Sequence, residues 1–498
     1  MLEKARTPVF YAHVFIGLFL MFVAGRIVPP IYPLTEMGML VVGVFFGAIW
    51  FWCFVGFLWP SLLAIVAFIL SGFAGVGPIM GMTFGHSVTV LLIFSMILFG
   101  SPQHVGATRY ITRWFLTRKV FNNRPIIFAF VFIFATYALS VAVNVTPSLI
   151  LMWTVLYGVL NELGYKKGEK FTTLMLIGTF LGAISGQASL PFTGSTLAIL
   201  SSFTTATQGA VDAGDLGSAI TMPVPQYMIL GFIFSTVMFV IYCLFMKLVL
   251  KPEELTKVAH VNTEMFDRDP LPPMSSLQKA NFFSMLLFVF LMLLPWFMPN
   301  EFILTQWLNR LGATGVAILL TGIMCVIQIQ GKPVLDFKAV APKALNWDVV
   351  VMVAAAIGIG TALMHPSTGA REMMIQVFNP VLGGHTPITF FIAMLLVGIV
   401  VTSFASSMVI GIAFMPILVA FGVQAAANLP AVAATFALLL HYSIILPSAS
   451  VFAAMLWSNA EWVTGREVFK YGAFIVIAAT IVAIILIMPI SLVLFRGF

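Results

Sequence analysis

The chain reads as an all-α polytopic membrane protein, with about 11 transmembrane helices and two re-entrant hairpins in an inverted-topology repeat. Three observations predict this. Of 498 residues, 61% are hydrophobic and 8% charged, with mean hydropathy +1.08, which is more apolar surface than a soluble core can hide. Apolar stretches near the roughly 20 residues needed to cross the hydrocarbon layer recur from Tyr11 to Leu494 with brief charged interruptions. The polar cluster Ser140-x-x-x-Asn144 returns 262 residues later as Thr402-x-x-x-Ser406, and each is followed by a break containing Leu-Pro. Those breaks, Leu190-Pro191 to Ser195 and Leu446-Pro447 to Ser450, lie 256 residues apart, so order and spacing are kept.

Residues 1–35 hold the first helix. Phe10 to Val28 is long enough to span, and no small-x-small cleavage site follows it, so it reads as retained rather than as a signal peptide. Residues 36–250 form repeat 1, with a cytosol-facing hairpin at about 125–163. Residues 251–276, charged and Pro-rich (Glu253, Asp267, Pro270, Pro272), form a cytosolic linker. Residues 277–498 form repeat 2, with an outward-facing hairpin at about 387–423. Ahead of the hairpins, Ala107 to Phe121 and Ser367 to Phe378 are amphipathic and are expected to lie along the membrane interface.

Charge placement supplies the orientation. Assigning an N-terminus in the cytosol puts 20 of the 24 Lys and Arg residues on cytosolic loops, leaving Arg26, Arg310, Arg371 and Arg496 outside. The external loop from Thr204 to Thr221 carries Asp212 and Asp215 and no cation. This assignment holds only if each hairpin enters and leaves by one face, and the two hairpins then enter from opposite faces. The net charge of +7 therefore reports membrane orientation, and no nucleic-acid partner is implied. Cys53, Cys243 and Cys325 have neither metal-ligand nor disulfide spacing.

Unpaired backbone groups in lipid cost several kcal/mol, so helix breaks at mid-depth are tolerated where they are buried in protein or line a cavity. Serine, threonine and asparagine beside freed carbonyls are hard oxygen ligands for an alkali cation, and exposed helix N-termini suit a carboxylate. No Lys, Arg, Asp or Glu lies in either hairpin tip or either Leu-Pro break, which favours a sodium-type site over a carboxylate proton relay. A hydroxyl within a membrane helix commonly bonds its own i−4 carbonyl; the duplication is what singles these clusters out. His441 is the one titratable group near the second break, where helix packing is its commoner role. The run Ala354 to Gly360 suits close helix packing better than a phosphate loop.

Several motifs resemble the divalent anion/sodium symporter family, which includes dicarboxylate, citrate and sulfate carriers. Trp50-Phe51-Trp52 with Trp59-Pro60 is similar to the end of the family's second span and the opening of its third. Gly106-Ala107-Thr108-Arg109-Tyr110 is similar to its basic surface helix, Trp347-Asp348-Val349-Val350-Val351 to its ninth span, and Leu446-Pro447-Ser448-Ala449-Ser450 to its second-repeat loop. The resemblance implies an elevator motion of the hairpin-bearing domain against a homodimeric scaffold. It implies that Ser140 and Asn144 line one sodium site, and that Thr402, Ser407 and the carbonyls of Ala405 and Ala449 line a second. Asn144, Thr146, Ser406 and Ser407 would contact substrate, faced by Thr193 and Ser450. The chain departs from the family's Ser-Asn-Thr triplets at both tips: Val145 and Met408 place apolar groups where the family has polar ones.

The expected function is a secondary active transporter moving a small carboxylate anion, sodium-coupled, with no resident cofactor and no catalytic residue. Its partners would be the anionic substrate, the lipid of a bacterial inner membrane and a second copy of the chain. The alternatives are an exchanger that needs no cation, and a cation/proton antiporter, for which the expected acidic site residues are absent. An intramembrane enzyme is a remote alternative, as the sequence has no His-Glu-x-x-His, no paired intramembrane Asp and no Gly-x-Ser-x-Gly.

Overall fold

The computed structural model describes residues 7–107, 109–110, 113–114, 124–142, 144–166, 168–192, 194–250, 255, 272–299, 301–459 and 462–497. Most of the expected interfacial segment at 107–121 and of the linker at 251–276 lies outside these residues. The described residues are mainly helical, and the strand among them is a two-residue ladder pairing Gln328–Ile329 with Lys332–Pro333. The chain is an all-α polytopic membrane protein: among the described residues, 12 helices are long and apolar enough to cross a membrane.

In chain order the main helices, spanning and shorter together, are α1 (Pro8–Ile27), α2 (Glu36–Phe54), α3 (Leu58–Leu70) and α4 (Ser87–His104). Next come α5 (Pro125–Ala142), α6 (Val145–Glu162), α7 (Lys170–Ala188), α8 (Gly194–Asp212) and α9 (Val224–Val249). The second half holds α10 (Ser276–Phe297), α11 (Ile303–Val326), α12 (Trp347–Met364), α13 (Ala370–Leu382), α14 (Pro387–Phe404) and α15 (Ser407–Gln424). It ends with α16 (Leu429–Leu440), α17 (Val451–Ser458) and α18 (Gly465–Leu494). Their starts carry local signals. Ser275 with Gln278, and Thr464 with Glu467, form capping boxes, while Thr35, Asp336 and Asn428 each accept a hydrogen bond from the first turn they precede.

Two pairs fold back on themselves. α5 packs on α6 around the break at Asn144, and α14 packs on α15 around Ala405 and Ser406. Two further helices are interrupted: α7 gives way to α8 across the Leu190-Pro191 break, and α16 gives way to α17 across Pro447–Ala449. The same contact occurs in both halves, since α5 packs on α7 and α14 packs on α16. α8 then packs on α15, knitting the halves together, with Ser202 Oγ donating to the Ile412 carbonyl at 2.8 Å.

α7 and α16 are buried along nearly their whole lengths, whereas few residues of α1, α10 and α11 are buried. In a bilayer this ordering puts the interrupted helices in the protein interior and the uniformly apolar ones against lipid. Gly178, Gly182 and Gly186, one helical turn apart on α7, let α5 approach closely. A Cβ at Gly182 would sit 2.4 Å from the Ile133 carbonyl oxygen, and one at Gly186 would sit 2.6 Å from that of Tyr137. The small-residue run on α12 is likewise a packing face: a Cβ at Gly358 would lie 2.6 Å from Thr83 Cγ2.

Candidate functional site

The two hairpin tips and the two breaks meet at one cavity of about 380 Å³, within the range of small-molecule sites. Ser140, Asn144 and Thr146 line it from the first hairpin, Ser406, Ser407 and Met408 from the second, and Gly194, Ser195 and Ser450 from the breaks. The hairpins and breaks therefore present four helix N-termini to the same space, those of α6, α8, α15 and α17. Each N-terminus carries unsatisfied N–H groups and the positive pole of the helix dipole, so the arrangement favours an anion without a fixed cation at the tips.

Local geometry explains how the tips are built. Asn144, at the N-cap of α6, has φ 146° and ψ 166°, a region that residues other than glycine rarely enter. Its Oδ1 accepts a hydrogen bond from Val145 N at 2.7 Å, and its carbonyl accepts one from the Ser148 hydroxyl, which together hold the turn. At the second tip Ser406 sits at the N-cap of α15 without a side-chain cap bond. Ser450 caps α17 by accepting from Ala453 N at 2.9 Å. Ser140 is buried and donates its hydroxyl proton to the Ala183 carbonyl at 2.6 Å.

Thus Ser140, Asn144, Thr146, Ser406, Ser407 and Ser450 are brought together, while Thr193 lies outside the described residues. Thr402, Ala405 and Ala449 are not on the cavity wall. Thr402 is fully buried, with its hydroxyl 3.5 Å from the Ala405 carbonyl oxygen, and the turn Pro447–Ala449 packs against α14, so these three cluster behind the second tip. The apolar replacements also divide. Met408 faces the cavity, whereas Val145 is fully buried and does not line it.

Other lining residues are not singled out by the sequence. Gln187, the lone amide side chain of α7, lies three residues before the first Leu-Pro, a position that could have marked it. Gln103 on α4, Lys343 at the end of the short helix Phe337–Ala344, and Asn346 and Asp348 at the start of α12 also line it. Charge is therefore absent from the tips yet present elsewhere on the lining, where no local pattern points to a site. His441 has more than a packing role: its Nε2 lies 3.0 Å from Ser195 Oγ and 3.2 Å from Thr196 Oγ1, joining the two interrupted helices.

Residues 45–441, about four fifths of the chain, match the family model for citrate transporters. No individual curated protein matches significantly. The matched segment contains both hairpins and the first break, and it stops just short of the second. The chain therefore belongs to the citrate transporter family, and it is a secondary transporter of the citrate and small-carboxylate class.

Proposed function

We propose that the cavity carries a small carboxylate anion across the cell membrane together with sodium, in the manner of the divalent anion/sodium symporters the sequence resembles. The observation that carries this reading is the convergence of four helix N-termini and a set of hydroxyls on one cavity of about 380 Å³. The helix ends and the Thr146, Ser406 and Ser407 side chains meet the carboxylates. Sodium beside Ser140 and Asn144, and beside Thr402, Ser407 and the carbonyls of Ala405 and Ala449, offsets their charge.

The repeated packing of α5 on α7 and of α14 on α16 supports two inverted repeats, 36–250 and 277–498. We read these as a hairpin-bearing body that slides as an elevator against a scaffold shared by two copies of the chain. Lys343 belongs to a loop that the charge rule puts in the cytosol with the N-terminus, and its place on the cavity wall supports a cytosol-facing state.

Lys343 also favours a second reading. An ammonium beside the anion supplies positive charge that sodium would otherwise bring, which suits exchange of anions without a cation gradient. Thermal unfolding of the purified protein against a panel of carboxylates, with sodium or choline, separates the two. Under the symport reading citrate or a smaller carboxylate raises Tm more in sodium. Equal shifts in both salts select the exchanger, and no shift with any carboxylate counts against both.

A further inference from the structure

The hydroxyl protons on the first-repeat wall of the cavity can be followed one by one. A carbonyl accepts and cannot donate, so the 2.8 Å contact between His441 Nδ1 and the Ala437 carbonyl oxygen places a proton on Nδ1. In the neutral imidazole Nε2 is then an acceptor. Two hydroxyls reach it, Ser195 at 3.0 Å and Thr196 at 3.2 Å. The Thr196 hydroxyl is engaged as a donor to the Gln187 carbonyl at 3.0 Å, so Ser195 is the donor to Nε2. The Ser140 proton is likewise spent, on Ala183.

Ser195 and Ser140 therefore turn lone pairs, and no protons, toward the cavity they line. Gln187 lines the same cavity, is 5% exposed, and has an Oε1 that is buried without a hydrogen-bond partner. Their chain neighbours bring these residues close to one another. A Cβ on Gly186 would lie 2.8 Å from Ser140 Cβ, and one on Gly194 would lie 2.4 Å from Gln187 Nε2. Gly194, with φ 53°, has a backbone conformation that disfavours any side chain. A buried amide oxygen left without a donor costs about 1–3 kcal/mol, which a ligand placed against it removes.

We propose that Gln187 Oε1, Ser195 Oγ and Ser140 Oγ form a cation subsite on this wall, with His441 as the residue that positions the Ser195 hydroxyl. The inference rests on the sodium-coupled reading and adds Gln187, Ser195 and His441 to it. Three neutral oxygens whose protons are absent or spent match a dehydrated monovalent cation of sodium size. A divalent ion held by protein alone usually takes carboxylates, and this wall contributes none.

The test is the sodium dependence of thermal unfolding of the purified full-length protein, with choline holding ionic strength constant. Sodium should stabilise the wild type. Gln187→Leu and Ser195→Ala should weaken the apparent sodium affinity about 10-fold or more. Thr196→Val, which removes the hydroxyl turned the other way, should leave it unchanged. Gln187→Glu adds a negative charge at the subsite and should tighten sodium binding, an outcome that damage to folding cannot imitate. Wild-type sodium affinity in Gln187→Leu and Ser195→Ala, or no tightening in Gln187→Glu, overturns the subsite and leaves sodium coupling standing. A wild type that responds to neither sodium nor lithium overturns both.

Discussion

The Ser140 hydroxyl lies 2.6 Å from the Ala183 carbonyl oxygen, tying the end of α5 to α7, a helix without a solvent-facing side. Ser140→Ala removes that bond and a cavity-lining oxygen together. The expected cost is about 0.5–1.5 kcal/mol of stability, seen as a lower Tm, with a weaker response to sodium. Wild-type Tm and wild-type sodium response together would remove Ser140 from the site.

Close approach of α5 and α7 predicts a contrast between two glycines. At Gly182 a Cβ would meet the Ile133 carbonyl oxygen at 2.4 Å, and backbone cannot step aside cheaply. Gly182→Ala should therefore cost about 1–3 kcal/mol and reduce the yield of monodisperse protein. Gly158, exposed on α6, has no atom within 4 Å of the place a Cβ would occupy, and it should accept alanine with a Tm at or above wild type. Equal tolerance at both positions would mean that α5 and α7 are not in such close contact.

Val145 and Met408 depart from the resembled family in the same way but differ in position. Met408 lines the cavity, so Met408→Thr should change the relative uptake of tricarboxylates and dicarboxylates severalfold. Val145 is fully buried off the cavity, so Val145→Thr should lower Tm with little change in substrate preference. Competition uptake assays on the two variants check this, and the reverse pattern would contradict the cavity geometry.

Arg371, in the first turn of α13, forms an ion pair with Asp215 in the loop between α8 and α9, and it is nearly buried. Asp215→Asn should cost about 1–3 kcal/mol, because it leaves the nearly buried Arg371 without its main counter-charge, whereas Arg371→Gln should cost less, because Asp215 is exposed. The double variant should lose less than the sum of the two. A thermal-unfolding cycle measures this coupling, and strict additivity would show that the pair contributes nothing.

The helices and the polar breaks are legible in the sequence because both are local. A hydroxyl or amide such as Asn144 or Ser406 stands out inside an apolar run, and repetition at a fixed offset marks it twice. The partners of those residues are not legible, because they are set by packing. Gln187 and Ser195 become a wall only once α7 and α8 meet and α8 turns against α16, and Lys343 reaches the cavity only because Ala344 seats against Gly100 of α4. Arg371 reads in sequence as an unclaimed external charge, and nothing near it points to Asp215. Thr402 is the equal of Ser140 by repeat position, yet it lies behind the wall, since a repeat predicts equivalent environments and a cavity need not be symmetric.

The most direct measurement is uptake of labelled citrate into proteoliposomes containing the purified protein, driven by an inward sodium gradient. The account predicts sodium-dependent accumulation that falls at least about 10-fold in Asn144→Ala and Ser406→Ala, the two tip residues that line the cavity from opposite repeats. Full accumulation in both variants, or a wild type that moves neither citrate nor a smaller carboxylate with or without sodium, would contradict it.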